Sequence, residues 1–255
     1  MTKKVYWALI FVVISSGVLF SSFFPNEYPV FEFSVPEVKE EKQHIIVFGG
    51  TRNTGLEVVR HLVARGDNVT AFVRPNSDHS SLLLLGVDLV FGDALDNDSV
   101  LESFAEQNYT AIVTTIGCYS CNPRPDYLGN KNIVDAAKAF EVKRFLLVTT
   151  IGAGDSFKTA PWLVRWFLKD VLPQKTLIEE HLIASDLDYT IIRPGGLTNG
   201  AVSGGAYLSE SRDAFSSIGR IDLAHLIVKS LNEDKTIGKV LAAVDSSLPF
   251  PWSMF

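Results

Sequence analysis

The run His44-Ile45-Ile46-Val47-Phe48-Gly49-Gly50-Thr51-Arg52-Asn53-Thr54-Gly55-Leu56 places three glycines between an apolar stretch and an amphipathic one. Glycine permits the tight turn and close backbone approach that a pyrophosphate needs. The start of a following helix adds unpartnered N–H groups and a favourable dipole. The strand–turn–helix setting lifts this pattern above a chance cluster of glycines. Gly49, Gly50, Thr51, Arg52, Asn53, Thr54 and Gly55 are therefore the expected phosphate-binding turn.

Four further segments carry a recognisable order. Phe91-Gly92-Asp93 ends an apolar run, and Gly129-Asn130-Lys131-Asn132-Ile133-Val134-Asp135-Ala136-Ala137 lies in a helical stretch. Val142-Lys143-Arg144-Phe145-Leu146-Leu147-Val148-Thr149-Thr150 and Leu187-Asp188-Tyr189-Thr190-Ile191-Ile192-Arg193-Pro194-Gly195-Gly196-Leu197 are apolar runs with polar ends. With the glycine turn, these segments resemble the short-chain dehydrogenase/reductase superfamily, and in particular its atypical, NAD(P)H-binding branch. That branch includes flavin and biliverdin reductases, sugar-nucleotide enzymes and NmrA-like redox sensors without turnover. The resemblance spans the whole domain from His44 onward. It implies that Asp93 stands near the adenine. Many members carry Gly-x-x-x-Gly-x-Gly in the turn. Here the middle glycine is Asn53, a residue that tolerates left-handed backbone better than most.

Domains of this kind that select NAD end the second strand with Asp or Glu, whose carboxylate binds the ribose 2′-OH and repels a 2′-phosphate. This chain instead reads Ala71-Phe72-Val73-Arg74, and Arg52 adds a second cation on the same side. Guanidinium suits bidentate phosphate recognition, so the expected cofactor is NADP(H).

Orthodox members use Ser, Tyr and Lys, the last two spaced Tyr-x-x-x-Lys. By the resemblance, Lys175 takes the lysine position, and Thr149 and Thr150 fall in the region of the serine. These three are the expected catalytic residues. Four residues before Lys175 stands Val171, so the Tyr–Lys pair is missing. Hydride transfer needs no protein nucleophile, because the cofactor carries the chemistry, and a flavin or quinone-like acceptor can take its proton from solvent. Tyr119 and Tyr127 read either as replacement phenols or as loop packing.

Cys118-Tyr119-Ser120-Cys121 follows the fourth apolar run, beyond a strand end where ligands of such sheets bind. Three readings stand: a structural disulfide, a redox-active dithiol, or two ordinary thiols. Zinc would need more ligands than are near, and no metal is expected. Glu179, Glu180 and His181 read as a polar helix face.

The elements that must position these groups alternate. Strands are expected at His44–Phe48, Asn68–Val73, Asp88–Phe91, Ala111–Thr114, Arg144–Thr149, Asp188–Ile192 and Lys239–Ala243. Helices are expected at Gly55–Arg65, Asp98–Glu106, Tyr127–Phe140, Trp162–Ile183 and Asp222–Leu231. Repeated βα units specify an α/β, doubly wound parallel sheet of Rossmann type. The loop Gly195–Gly205 holds five of the 18 glycines and reads as a flap over a substrate.

Ahead of this domain, the 20 residues Val5–Phe24 are uncharged and follow Lys3 and Lys4. That length spans a bilayer core, so residues 1–24 are expected to be a single transmembrane helix anchoring the chain, with a cleaved signal peptide as the alternative. Residues 25–43, with Pro25, Pro29, Pro36 and an acidic cluster, read as a linker, and 44–255 as the dinucleotide-binding domain. The net charge of −6 and the absence of any Lys/Arg-rich stripe exclude a nucleic-acid partner. The expected function is an NADPH-dependent reductase of a small or membrane-soluble acceptor. The alternative is a non-catalytic NADP(H)-binding redox sensor or membrane-associated assembly factor.

Overall fold

A computed structural model describes residues 28–34, 42–105 and 107–248. In the first strand, β1 (His44–Phe48), side chains alternate across the sheet. Ile45 and Val47 enter one hydrophobic cluster, and Ile46 and Phe48 enter another on the opposite face. A strand covered on both faces must be apolar throughout, which is why β1 carries no alternating polar residue. The same holds for β4 (Ala111–Thr114) and β5 (Arg144–Val148), buried beyond their first residues.

The remaining strands of the main sheet are β2 (Asn68–Val73), β3 (Asp88–Phe91), β6 (Asp188–Pro194), β8 (Ala206–Ser209) and β10 (Lys239–Asp245). The sheet has eight strands in the order β3-β2-β1-β4-β5-β6-β10-β8, parallel except for the β10–β8 pair. A two-stranded ribbon pairs β7 (Gly196–Thr198) with β9 (Ser217–Gly219). The order reverses between β1 and β4, which opens a crevice at their carboxyl ends.

One face is covered by α1 (Asn53–Arg65), and the other by α3 (Asn97–Ala105) and α4 (Leu128–Ala139); α2 (Ser80–Leu84) is a short turn between β2 and β3. The long helix expected over Trp162–Ile183 is in fact two, α5 (Trp162–Phe167) and α6 (Leu172–Ile183). Pro173 has no N–H to donate, which the interior of one continuous helix would not tolerate but the first turn of a new helix does, so α6 starts there. The last helix, α7 (Arg220–Leu231), packs beside α1. The glycine-rich loop is pinned rather than open. It contributes β7, and Ser203 donates its N–H to Asp222 Oδ2 at 3.1 Å and its hydroxyl to Asp245.

The stretch 28–34 lies along the domain. Phe31 N–H donates to the Leu208 carbonyl at 2.7 Å, Ser34 Oγ bonds Glu233 at 2.9 Å, and Lys229 stands 4.1 Å over the Phe33 ring. The expected membrane location is corrected. No helix among the described residues is long and apolar enough to cross a membrane, and residues 1–24, on which that expectation rested, lie outside the described residues.

Candidate functional site

The crevice between the ends of β1 and β4 is a cleft of about 590 Å³. Its floor is the glycine turn. Gly49 has φ +87°, and a Cβ there would come within 2.7 Å of Thr115 Oγ1 at the end of β4. A Cβ on Gly55 would drive into the Gly49 carbonyl oxygen. Both positions therefore need glycine for close packing of turn, helix and neighbouring strand. Asn53 takes φ +52°, the left-handed conformation that the missing glycine would have supplied.

The turn ends in α1, whose N-terminal flank, Arg52, makes no side-chain cap. The first N–H groups of a helix have no intrahelical partner, and the residues at that end, Asn53, Thr54 and Gly55, line the cleft. Thr54 Oγ1, buried and lining the cleft, also has no hydrogen-bond partner. An orphaned buried hydroxyl beside free helix donors is what a phosphate would satisfy. The turn therefore fits a pyrophosphate.

On the β2 and β3 side, the cleft is lined by Phe72, Arg74, Ser77, Asp93, Ala94 and Leu95. Arg74 is exposed on the rim. Asp93 Oδ1 accepts from Leu95 N–H at 3.0 Å, which shapes the loop. Of the expected binding residues, Gly49, Thr51, Arg52, Asn53, Thr54, Gly55, Arg74 and Asp93 all line one cleft. Gly50 lies behind it, where a Cβ would meet Val59 at 3.1 Å.

The expected catalytic residues are placed differently. None of Thr149, Thr150 and Lys175 is among the residues lining the cleft. The Thr149 hydroxyl donates to Glu179 Oε1 at 2.6 Å, and Glu179 is held by Arg193 at 3.0 and 2.7 Å. Arg193 also pairs with Asp155 at 2.5 Å. Thr150 bonds the Ile151 carbonyl. Lys175 is buried, 3.2 Å from Asp126 Oδ1 and 2.7 Å from the Ile116 carbonyl. Burial pushes its ammonium below the ordinary lysine range, against the pull of Asp126. Lys175 thus stands under the loop that follows β4, not at its surface. Tyr127 lines a second groove outside the cleft, and Tyr119 stacks on Phe167 with ring centres 4.8 Å apart.

Sequence reading missed three parts of the site. Asn130, fully buried, receives the Thr114 hydroxyl at 2.6 Å and donates to the Asp126 carbonyl at 2.9 Å, bracketing β4 to α4. Asp126 also accepts the Cys118 N–H at 3.0 Å. Arg220, at the start of α7, lines the cleft with Leu197. Its Nη1 donates to Asn199 Oδ1 at 3.0 Å, and its Nε is buried without a partner. Asn130 lies in a motif already singled out, but Arg220 stands about 170 residues from the turn it joins, with no local signal.

A Rossmann sheet with a glycine turn, a helix start and the orphaned Thr54 hydroxyl lining the crevice at its switch point defines a dinucleotide-binding protein. Residues 49–234 match a family model described as NAD(P)H-binding. The chain belongs to that NAD(P)H-binding family, on its atypical, NmrA-like and biliverdin reductase-like side. It is 31% identical over 188 residues to the chloroplastic protein TIC 62 of Pisum sativum, a match covering 64% of this chain and 35% of that one. It is 24% identical over 213 residues to the photosystem II assembly factor Ycf39 of Cyanophora paradoxa, covering 78% of this chain and 63% of the other. Its aligned region thus spans about a third of the length of pea TIC 62. Among solved structures, ChuY of Escherichia coli O157:H7, described as an anaerobillin reductase, superposes with a TM-score of 0.74 at 27% identity. That match covers 80% of this chain and 98% of ChuY.

Proposed function

We propose that this chain is an NADPH-dependent reductase of a small-molecule acceptor. The observation that carries the reading is the pair Arg52 and Arg74 on the rim of a cleft that fits a pyrophosphate, with no carboxylate ending β2. The two guanidinium groups are suited to a 2′-phosphate. The Gly49–Gly55 turn and Thr54 would hold the pyrophosphate, and Phe72, Asp93 and Leu95 would flank the adenine. A bound nicotinamide cofactor would supply a hydride. No tyrosine is among the described residues that line the cleft, which supports an acceptor that protonates from solvent, such as a flavin or a linear tetrapyrrole. Lys175 and Asp126 act as positioning residues that brace the β4 loop. Titrating NADPH and NADH by fluorescence, then following oxidation of the reduced cofactor with each acceptor, tests the reading. Tighter NADPH binding with acceptor-dependent oxidation supports it, and equal affinity for both cofactors removes the NADPH preference.

The placement of Thr149, Thr150 and Lys175 behind the cleft wall favours a second reading, a non-catalytic NADP(H)-binding sensor or assembly factor. Tight binding with no turnover on any acceptor would select it.

A further inference from the structure

Cys118 and Cys121 are the only cysteines of the chain, and they form a disulfide with Cα atoms 5.5 Å apart. Both line the cofactor cleft next to Gly117 and Ile116, and both are half-buried rather than sealed in the core. A disulfide that braces a fold gains most by closing a long loop. This one joins residues three apart, where that gain is smallest.

The two ends of the ring are held unequally. On the Cys118 side, its N–H is anchored to Asp126, and the Tyr119 ring is stacked on Phe167 with its hydroxyl 3.3 Å from the Phe167 carbonyl. On the other side, Cys121, Asn122 and Pro123 line the cleft but carry no hydrogen bond among the described residues. Among the described residues, the S–S bond is the one polar or covalent cross-link on these three residues, and the next residue, Arg124, is held by Asp170 at 3.9 Å and lies over the Tyr119 ring. These three residues also line a second groove of about 600 Å³ on the outer side, with Arg124, Tyr127 and Gln174. Cys121 therefore lines both the cleft and a groove outside it.

We propose that Cys118–Cys121 is a reversible redox site, opened by a dithiol reductant, that sets the affinity of the cleft for NADPH. The proposal rests on the cofactor reading above. A reductant thiolate attacks Cys121 Sγ, the S–S bond breaks, and Cys118 leaves as a thiolate that takes a proton from water. The second reductant thiolate then attacks the mixed disulfide and releases Cys121, which is protonated in turn. The reductant ends as a disulfide, and the protein gains two electrons and two protons. Opening the ring frees the Cys121–Pro123 wall, so cofactor binding must order it again, and affinity falls.

The test uses the full 255-residue chain, air-oxidised or treated with dithiothreitol without denaturant, with free thiols counted and NADPH affinity read by fluorescence. Reduction is expected to release both thiols and raise the Kd for NADPH by about three- to tenfold, with reoxidation restoring it. The double variant Cys118→Ser/Cys121→Ser is expected to bind like the reduced chain and to ignore dithiothreitol. Equal Kd in the oxidised and reduced wild type, or no thiol release in the native state, overturns the proposal even if the double variant fails to fold. If neither form binds NADPH, the cofactor reading falls with it.

Discussion

Lys175 Nζ lies 3.2 Å from Asp126 Oδ1, both side chains are buried, and Asp126 holds the Cys118 N–H with its other oxygen. The pair fixes the loop after β4 from below. Removing one partner strands a charge in a medium that cannot solvate it. Lys175→Met is expected to cost about 3–5 kcal/mol of stability, read by urea unfolding. The paired change Lys175→Met/Asp126→Leu should recover a large part of that loss. If Lys175→Met is as stable as the wild type, the pair does not brace the loop.

Asn53 sits at φ +52° in the turn. Asn53→Gly should keep cofactor affinity and change stability by less than about 1 kcal/mol. Asn53→Val, with a branched side chain in left-handed backbone, should cost about 1–3 kcal/mol and weaken NADPH binding. Thermal unfolding and fluorescence titration of the two variants together decide whether the left-handed turn is needed.

Arg74 stands where an NAD-selective domain carries an acid. Arg74→Ala is expected to weaken NADPH binding by about 10- to 100-fold, the range of a hydrogen bond to a charged group, and to leave NADH binding within twofold. Equal losses for both cofactors would remove Arg74 from any contact with a 2′-phosphate.

Asp135 on α4 accepts from Lys131 at 2.5 Å and from His181 on α6 at 2.8 Å. Burial alone would raise its pKa, but the hydrogen bonds from Lys131 and His181 outweigh it and hold the carboxyl below the ordinary 3.8. A depressed carboxylate stabilises the fold fully above the unfolded pKa and loses that contribution as the pH falls through the folded value. Asp135→Asn should therefore lower the Tm at pH 7 by about 1–3 °C, because the pair is partly exposed. The difference should shrink as the pH drops below 3.8. A gap that widens in acid would contradict this sign.

Strands β1 to β4 match their sequence-read bounds because each is a continuous apolar run closed by a turn, a pattern that needs no tertiary information. That the glycine turn, Arg74 and Asp93 share one cleft is legible for the same reason, since each follows the carboxyl end of a parallel strand. Lys175 and Thr149 stand behind the cleft wall, because sequence position fixes the helix or strand and not the direction of the side chain. Glu179 and Asp126, which draw them away from the cleft, are identified only by contact. Strands β7, β8 and β9 lie in a glycine-rich stretch with little periodicity, and Arg220 reaches the site only because α7 packs beside α1.

The stretch 28–34 meets β8, the last strand of the eight, at the sheet's antiparallel margin. An uncovered margin presents unpaired backbone groups that can recruit the same strand from another molecule. Phe31 occupies one of those groups, and Phe31 and Phe33 shield apolar side chains nearby. A chain cut at His44 would keep the whole cofactor cleft and lose this guard. Self-association would then arise from the edge farthest from the Arg74 rim, so an N-terminal boundary drawn ahead of Tyr28 is the one that preserves a well-behaved domain.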